Sequence, residues 1–228
     1  YVLCCLGLGV KISILKKIGK EPSFYTTFLI VQVVFRVDSS YDIGTGHVMR
    51  CLAFASHLRD KSYECSFICK DIEGNIIEKI QESDYPVHIL PKDNSYEKIN
   101  TSSIYENWLE SSQDVDSNQC AHFLRKHKTD LLIVDHYAID EIWEKNISRH
   151  VDKIFVIDDL ANRKHFCDFL LDQSLGRNKF DYKKLVSNKT YLFCGPEFSL
   201  LRGEFNEERE KSIQNRRKNC FNNLLINM

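Results

Sequence analysis

"IVQVVFRVDSSYDIGTGHVMRCLAFASHL" (residues 30–58) decides the fold. Its first eight residues are an apolar, largely β-branched run, and the polar turn "DSSYDIGTGH" (38–47) follows. Val48, Cys51, Leu52, Ala55 and Leu58 then recur at helical spacing. Strand, glycine-bearing turn and helix make the opening half of a βαβ unit. The rhythm continues in "YECSFIC" (63–69), "VHIL" (87–90), "DLLIVD" (130–135), "KIFVID" (153–158), "DFLLD" (168–172) and "TYLFCG" (190–195). Between these runs, Ile76, Ile77 and Ile80, and later Cys120, Phe123 and Leu124, mark further helices. Several runs are almost continuously apolar, as strands covered on both faces require. The pattern predicts an α/β fold: a Rossmann-like parallel sheet over residues 30–202.

Composition narrows the functions available. Of 228 residues, 43% are hydrophobic, enough for one well-packed domain. Thirty-one basic against 32 acidic side chains give no overall field for a polyanion, and no basic stripe stands out, so nucleic acid is not an expected partner. Nine cysteines, scattered through apolar runs without a C-x-x-C pair, read as buried thiols of a cytoplasmic protein. No zinc-like spacing is present, and neither a metal nor a cofactor is expected. The apolar opening "YVLCCLGLGV" (1–10) is shorter than the ~20 residues that a bilayer demands, so no stable membrane association is expected. Residues 1–29 read as an extension of unassigned role. Residues 91–116 read as a long loop or short helical insert holding Tyr105 and Trp108, and the charge-dense 203–219 as a solvated helix or linker. The apolar "NNLLINM" (222–228) beyond it is expected to be the first strand of a truncated second domain, making 203–228 linker and strand.

In an open α/β sheet, ligands gather beyond the carboxyl ends of the strands. The polar residues there are Arg36, Asp38 and Ser39, then Lys70, then Asp135, His136 and Tyr137, then Asp158 and Asp159. Lys70 reads as a polar residue marking where a strand surfaces, Asp135 as a loop anchor for backbone N–H groups, and His136 as a structural hydrogen bonder. Asp158 and Asp159 stay open between scaffold and site. Gly44 and Gly46 are expected to let the backbone reach φ > 0 and approach a ligand closely. The turn is no dinucleotide fingerprint, since Met stands at 49, and no Walker loop, since no G-K-[ST] follows. His47 starts the helix, where the dipole favours a neutral imidazole able to take a proton from water. No G-x-S-x-G elbow occurs, and no glycosidase carboxylate pair can be named, though Asp38 and Asp159 qualify by position.

Together, "VVFRVDSSYDIGTGHVMRCLAFASHL" (33–58), "LLIVDHY" (131–137), "FVIDDLANRKHFCDFLLDQ" (155–173) and "CGPEFSLLRGEF" (194–205) resemble the UDP-2,4-diacetamido-2,4,6-trideoxy-β-L-altropyranose hydrolases of pseudaminic acid biosynthesis. The resemblance implies the N-terminal domain of a glycosyltransferase-B type fold and metal-free hydrolysis of a UDP-sugar at C1. It implies that His47 is the catalytic base, that Tyr137 lines the sugar pocket, and that Gly44 and Gly46 face sugar and diphosphate. Asp38 is a further candidate for binding substrate, and Arg202, with Glu204, matches the segment leading into the second domain. That domain supplies most uridine and diphosphate contacts in the family, so residues 1–228 alone are expected to bind UDP-sugar poorly and turn over little. Two other readings stand beside this one: a glycosyltransferase of the same fold, and a non-catalytic sugar-nucleotide binding module. The oligomeric state is not legible in the sequence.

Overall fold

Strand β1 (Gln32–Val37) is buried from its second residue onward, so it must be covered on both faces and paired along both edges. The computed structural model describes residues 30–216 apart from 94, 99 and 101–104, and within it β1 lies at the middle of a seven-stranded sheet. The others are β2 (Glu64–Lys70), β3 (Val87–Leu90), β4 (Leu131–Asp135), β5 (Ile154–Ile157), β6 (Phe169–Asp172) and β7 (Tyr191–Cys194). The order is β3-β2-β1-β4-β5-β6-β7. All pairs are parallel, with Val34 opposite both Ser66 and Leu132. The seven predicted runs are these seven strands, each within a residue or two at its ends. Residues 1–29 and "NNLLINM" lie outside the described residues.

Helices α1 (Gly46–Arg59), α2 (Ile77–Gln81), α3 (Gln113–Leu124), α4 (Glu141–Ile147) and α5 (Gly203–Arg216) connect or follow the strands. The two-residue period of β1 sorts its side chains between two cores. Val33, Phe35 and Val37 pack with Val48, Cys51, Leu52 and Phe54 of α1 and Ile77 and Ile80 of α2. Val34 points the other way, among Cys120 and Leu124 of α3 and Trp143 and Ile147 of α4. Ser112 caps α3 by accepting from Val115 N, and Asp140 caps α4 by accepting from Ile142 N at 2.8 Å. Among the described residues of 91–116, a 3-10 turn, Glu106–Leu109, precedes α3, and the charged stretch begins as the exposed helix α5, both within the range predicted. Among the described residues, no helix is long and apolar enough to cross a membrane, and Cys51, Cys65, Cys69, Cys120, Cys167 and Cys194 are free thiols.

One residue of β1 breaks the apolar pattern. Arg36 projects towards α3 and is fully buried. Its Nε and Nη2 meet both oxygens of Asp116 at 3.2 and 2.7 Å, and Nη1 lies 2.6 Å from Asp38. Lys70, at the end of β2, reaches the same Asp116 at 3.2 Å and donates to the Leu109 carbonyl and Ser111 Oγ. Trp143 Nε1 of α4 donates to Asp116 as well, at 2.9 Å. Lys70 therefore does not mark where a strand surfaces, as its position in the sequence had implied. It is almost wholly buried because a second buried cation is what balances the charges of Asp38 and Asp116.

Removing Asp116 would leave Arg36 and Lys70 with the single carboxylate of Asp38, one buried positive charge in excess, so Asp116→Ala is expected to destabilise the chain by ~3–5 kcal/mol in urea unfolding. Loss of the exposed Lys79–Glu82 pair by Lys79→Ala should change stability by less than ~1 kcal/mol.

Candidate functional site

The sheet order reverses direction between β1 and β4, and the crevice beyond their carboxyl ends is where an open α/β sheet admits a ligand. Beyond β1 the chain folds back tightly: Gly44 N donates to the Ser40 carbonyl at 2.8 Å, and Ser40 Oγ accepts from Ile43 N at 3.0 Å. Gly44 sits at φ +75°, a conformation that side chains strain to adopt, with open space where a Cβ would stand. Gly46 differs from expectation. It is the first residue of α1 with no positive φ, so its backbone is ordinary helix. Thr45 precedes it without a side-chain cap, leaving the first N–H groups of α1 uncapped by any side chain.

His47 lies in this first turn, and Arg50, three residues on, shares its face of the helix. Both meet Asp135, the last residue of β4. His47 Nδ1 is 2.6 Å from Asp135 Oδ1, while Arg50 grips both carboxylate oxygens through Nε at 2.5 Å and Nη2 at 2.6 Å. Arg50 Nη1 reaches Asp159 Oδ2, just beyond β5, and the Tyr137 hydroxyl donates to the same oxygen, each at 2.5 Å. Burial alone would raise the pKa of Asp135, but Arg50 and then His47 hold it well below the usual carboxylate range. Burial and the neighbouring Asp159 carboxylate push the Tyr137 phenol upwards, so it stays protonated and donating.

Aromatic rings wall the histidine. The Tyr137 ring stands edge-on to it at 4.6 Å, Trp108 edge-on at 6.0 Å, and Trp108 stacks on Tyr137 at 5.6 Å with Tyr105 edge-on to both. The insert between β3 and α3 thus folds over the crevice. Among the described residues, His47 Nε2 has no protein partner, and no group of His, Cys, Asp and Glu is arranged to hold a metal.

The structure brings together His47, Gly44, Gly46 and Tyr137 of the residues expected from sequence. It separates Asp38 and Arg202 from them. Asp38 is sealed beneath the site, paired with Arg36, accepting from Lys70 N at 2.7 Å and facing His136 Nε2 at 3.3 Å, so it is scaffold. Burial would raise its pKa, and Arg36 with His136 depresses it instead. Arg202 is exposed ahead of α5 with its guanidinium 5.5 Å from the Phe205 ring centre, and shares no partner with the His47 cluster. His136 is structural as read, its Nδ1 accepting from Ala138 N. The adjacent aspartates divide: Asp158 is buried on Arg163, Tyr182 and Ala161 N, whereas Asp159 opens into the site. Asp135 anchors no loop; it holds His47 and Arg50. Arg50 and the roles of Trp108 and Tyr105 escaped sequence reasoning, although the i, i+3 spacing to His47 was a signal for Arg50.

No family model matches the chain. Over 183 residues it is 34% identical to the UDP-2,4-diacetamido-2,4,6-trideoxy-β-L-altropyranose hydrolase of Campylobacter jejuni, covering 80% of this chain and 56% of that protein, whose N-terminal part it matches. An uncharacterised protein of Methanocaldococcus jannaschii is 26% identical over 203 residues, 86% of this chain and 36% of that protein. The chain therefore spans just over half of one relative and about a third of the other. Among solved structures, MurG of Acinetobacter baumannii superposes with a TM-score of 0.46 at 8% identity, over 72% of this chain and 44% of that one.

Two outcomes follow from this geometry. Gly44→Ala should destabilise the chain by ~1–2 kcal/mol in urea unfolding, because of its positive φ, whereas Gly46→Ala should not. Asp38, Asp116, Asp135 and Asp158 all have depressed folded-state pKa values, so each stabilises the fold above the unfolded carboxylate pKa and ceases to as pH falls through its folded value. Stability measured by urea unfolding should therefore fall as the pH drops below about 4.

Proposed function

We propose that this chain carries the water-activating half of an enzyme that hydrolyses a UDP-sugar at its anomeric carbon, in the manner of the hydrolase of pseudaminic acid biosynthesis that it matches. The products would be UDP and 2,4-diacetamido-2,4,6-trideoxy-L-altrose. The observation that carries the reading is His47: an imidazole at the switch-point crevice, held at Nδ1 by a buried carboxylate, with Nε2 left without a protein partner among the described residues. Water held at Nε2 loses a proton to the ring as its oxygen attacks C1. The bond from C1 to the diphosphate oxygen breaks, and UDP departs with the electron pair. A diphosphate is a stable anion, so the leaving group needs donors and positive potential more than a proton. The uncapped N-terminus of α1 offers such donors on this side of the crevice.

One base then suffices where an ordinary glycosidase uses two carboxylates. In this reading no metal takes part, the aromatic wall of Tyr105, Trp108 and Tyr137 packs on the less polar faces of the sugar, and a second domain of glycosyltransferase-B type supplies the uridine contacts. The buried free thiols suit a reducing compartment, consistent with a cytoplasmic enzyme.

The test is UDP release from UDP-2,4-diacetamido-2,4,6-trideoxy-β-L-altrose by the protein carrying a second domain, with and without EDTA, beside its His47→Asn variant. The expected result is EDTA-resistant release, lowered ~10²–10⁴-fold by the substitution while UDP-sugar binding persists. Release that needs an added acceptor would establish a transferase instead, and binding with no release at all a binding module.

A further inference from the structure

This inference rests on the reading of His47 as the base, and concerns what makes it one. We propose that Asp135 is the positioning residue of His47: it takes the Nδ1 proton in a buried hydrogen bond, so that the Nε2 lone pair is the one presented to the crevice, and Arg50 holds the carboxylate in that geometry.

A neutral imidazole carries one N–H, and the partner of one nitrogen decides the state of the other. An ionised carboxylate only accepts. At 2.6 Å from Nδ1, Asp135 Oδ1 forms a bond if Nδ1 carries hydrogen, and otherwise sets two lone pairs against each other in a fully buried place. The other groups around the ring do not reverse this. Arg50 Nη2 lies 3.3 Å from Nδ1 and its second N–H is a donor available to an unprotonated Nδ1, but that contact is much the longer one: the Asp135 carboxylate at 2.6 Å, which only accepts, weighs more in placing hydrogen on Nδ1. Tyr137 and Trp108 meet the imidazole with rings standing nearly perpendicular to it, and the Tyr137 hydroxyl is engaged by Asp159.

The carboxylate has no freedom to turn away. Its backbone is paired with Val37 in the central sheet, Oδ1 is shared by His47 and Arg50, and Oδ2 takes Arg50 Nε and the Cys51 thiol. Arg50 is in turn tied to Asp159, so the orientation of the imidazole is referred to the ends of two strands. An amide in place of Asp135 keeps the shape but can offer its NH₂ group to Nδ1, which stabilises the opposite tautomer. In a Ser-His-Asp triad the equivalent exchange costs about 10⁴ in rate.

Long-range ¹H–¹⁵N correlation of the histidine rings in the 228-residue chain, at about pH 8 where histidines are mostly neutral, reads the tautomer directly. The expected result is His47 with Nδ1 protonated and Nε2 bare. In Asp135→Asn the ratio of the two tautomers should shift by at least about tenfold towards Nε2–H, with the ring signals of buried His136 and His165 unchanged as markers of the fold. A wild-type His47 protonated at Nε2 overturns the proposal, and this needs no variant to fold. So does an Asp135→Asn variant that keeps its fold markers and its Nδ1–H tautomer. The Nδ1–H tautomer in a two-domain protein that releases no UDP would leave the positioning intact and remove the hydrolase reading; release with the opposite tautomer would do the reverse.

Discussion

Arg36 buried in the middle strand is the constraint around which the rest is arranged. A guanidinium inside a sheet is tolerated only if every charge near it is answered, and the answers come from separate parts of the chain: Asp116 from α3, Asp38 from the turn after β1, and indirectly Lys70 from β2. Trp143 of α4 completes the shell of Asp116. These contacts tie β1, β2, α3 and α4 together directly below the crevice, so the strand ends that carry the site rest on a neutral, interlocked layer of charge. The Asp38 carboxylate also receives the backbone N–H of Lys70, which joins the turn after β1 to the end of β2.

A second charged assembly stands above the first and differs from it in exposure. Asp135 is fully buried, but Arg50 and Asp159 are partly open, and Tyr137 with Trp108 forms a wall that is only half-buried. The sealed layer can contribute only rigidity. The open one combines the same rigidity with a face on which water and a ligand can sit. His47 lies at the border, with one nitrogen in the closed network and the other beyond it. Such a division is what the proposed proton acceptor requires, a buried half that fixes direction and a free half open to the crevice.

The aromatic wall comes from the insert between β3 and α3, whose sequence has no period of its own. Its rings sit at one short 3-10 turn, Glu106–Leu109, and are held against Tyr137 at the end of β4 by the stacking of Trp108 and the edge-on contact of Tyr105. A low-polarity wall beside His47 limits the water that can reach it, and it strengthens the electrostatics between imidazole and carboxylate.

The sequence by itself determined the seven strands and the α/β class, because alternation of apolar runs is a local property and strands covered on both faces admit few polar residues. It also drew attention to the turn before α1 as the candidate site, since glycines and a histidine at a strand-to-helix junction are local too. What only the tertiary structure decided is which polar residue serves whom. Asp38 and Asp135 both end apolar runs and look alike in sequence; one is sealed on Arg36 and the other grips His47 and Arg50. Lys70 gave the same outward sign as an exposed strand end, yet it balances a buried charge. Arg36 apart, which lies next but one to Asp38, these assignments depend on partners distant in sequence, 32 residues for Lys70 N to Asp38 and 88 for His47 to Asp135, and no local pattern records a pairing across such distances.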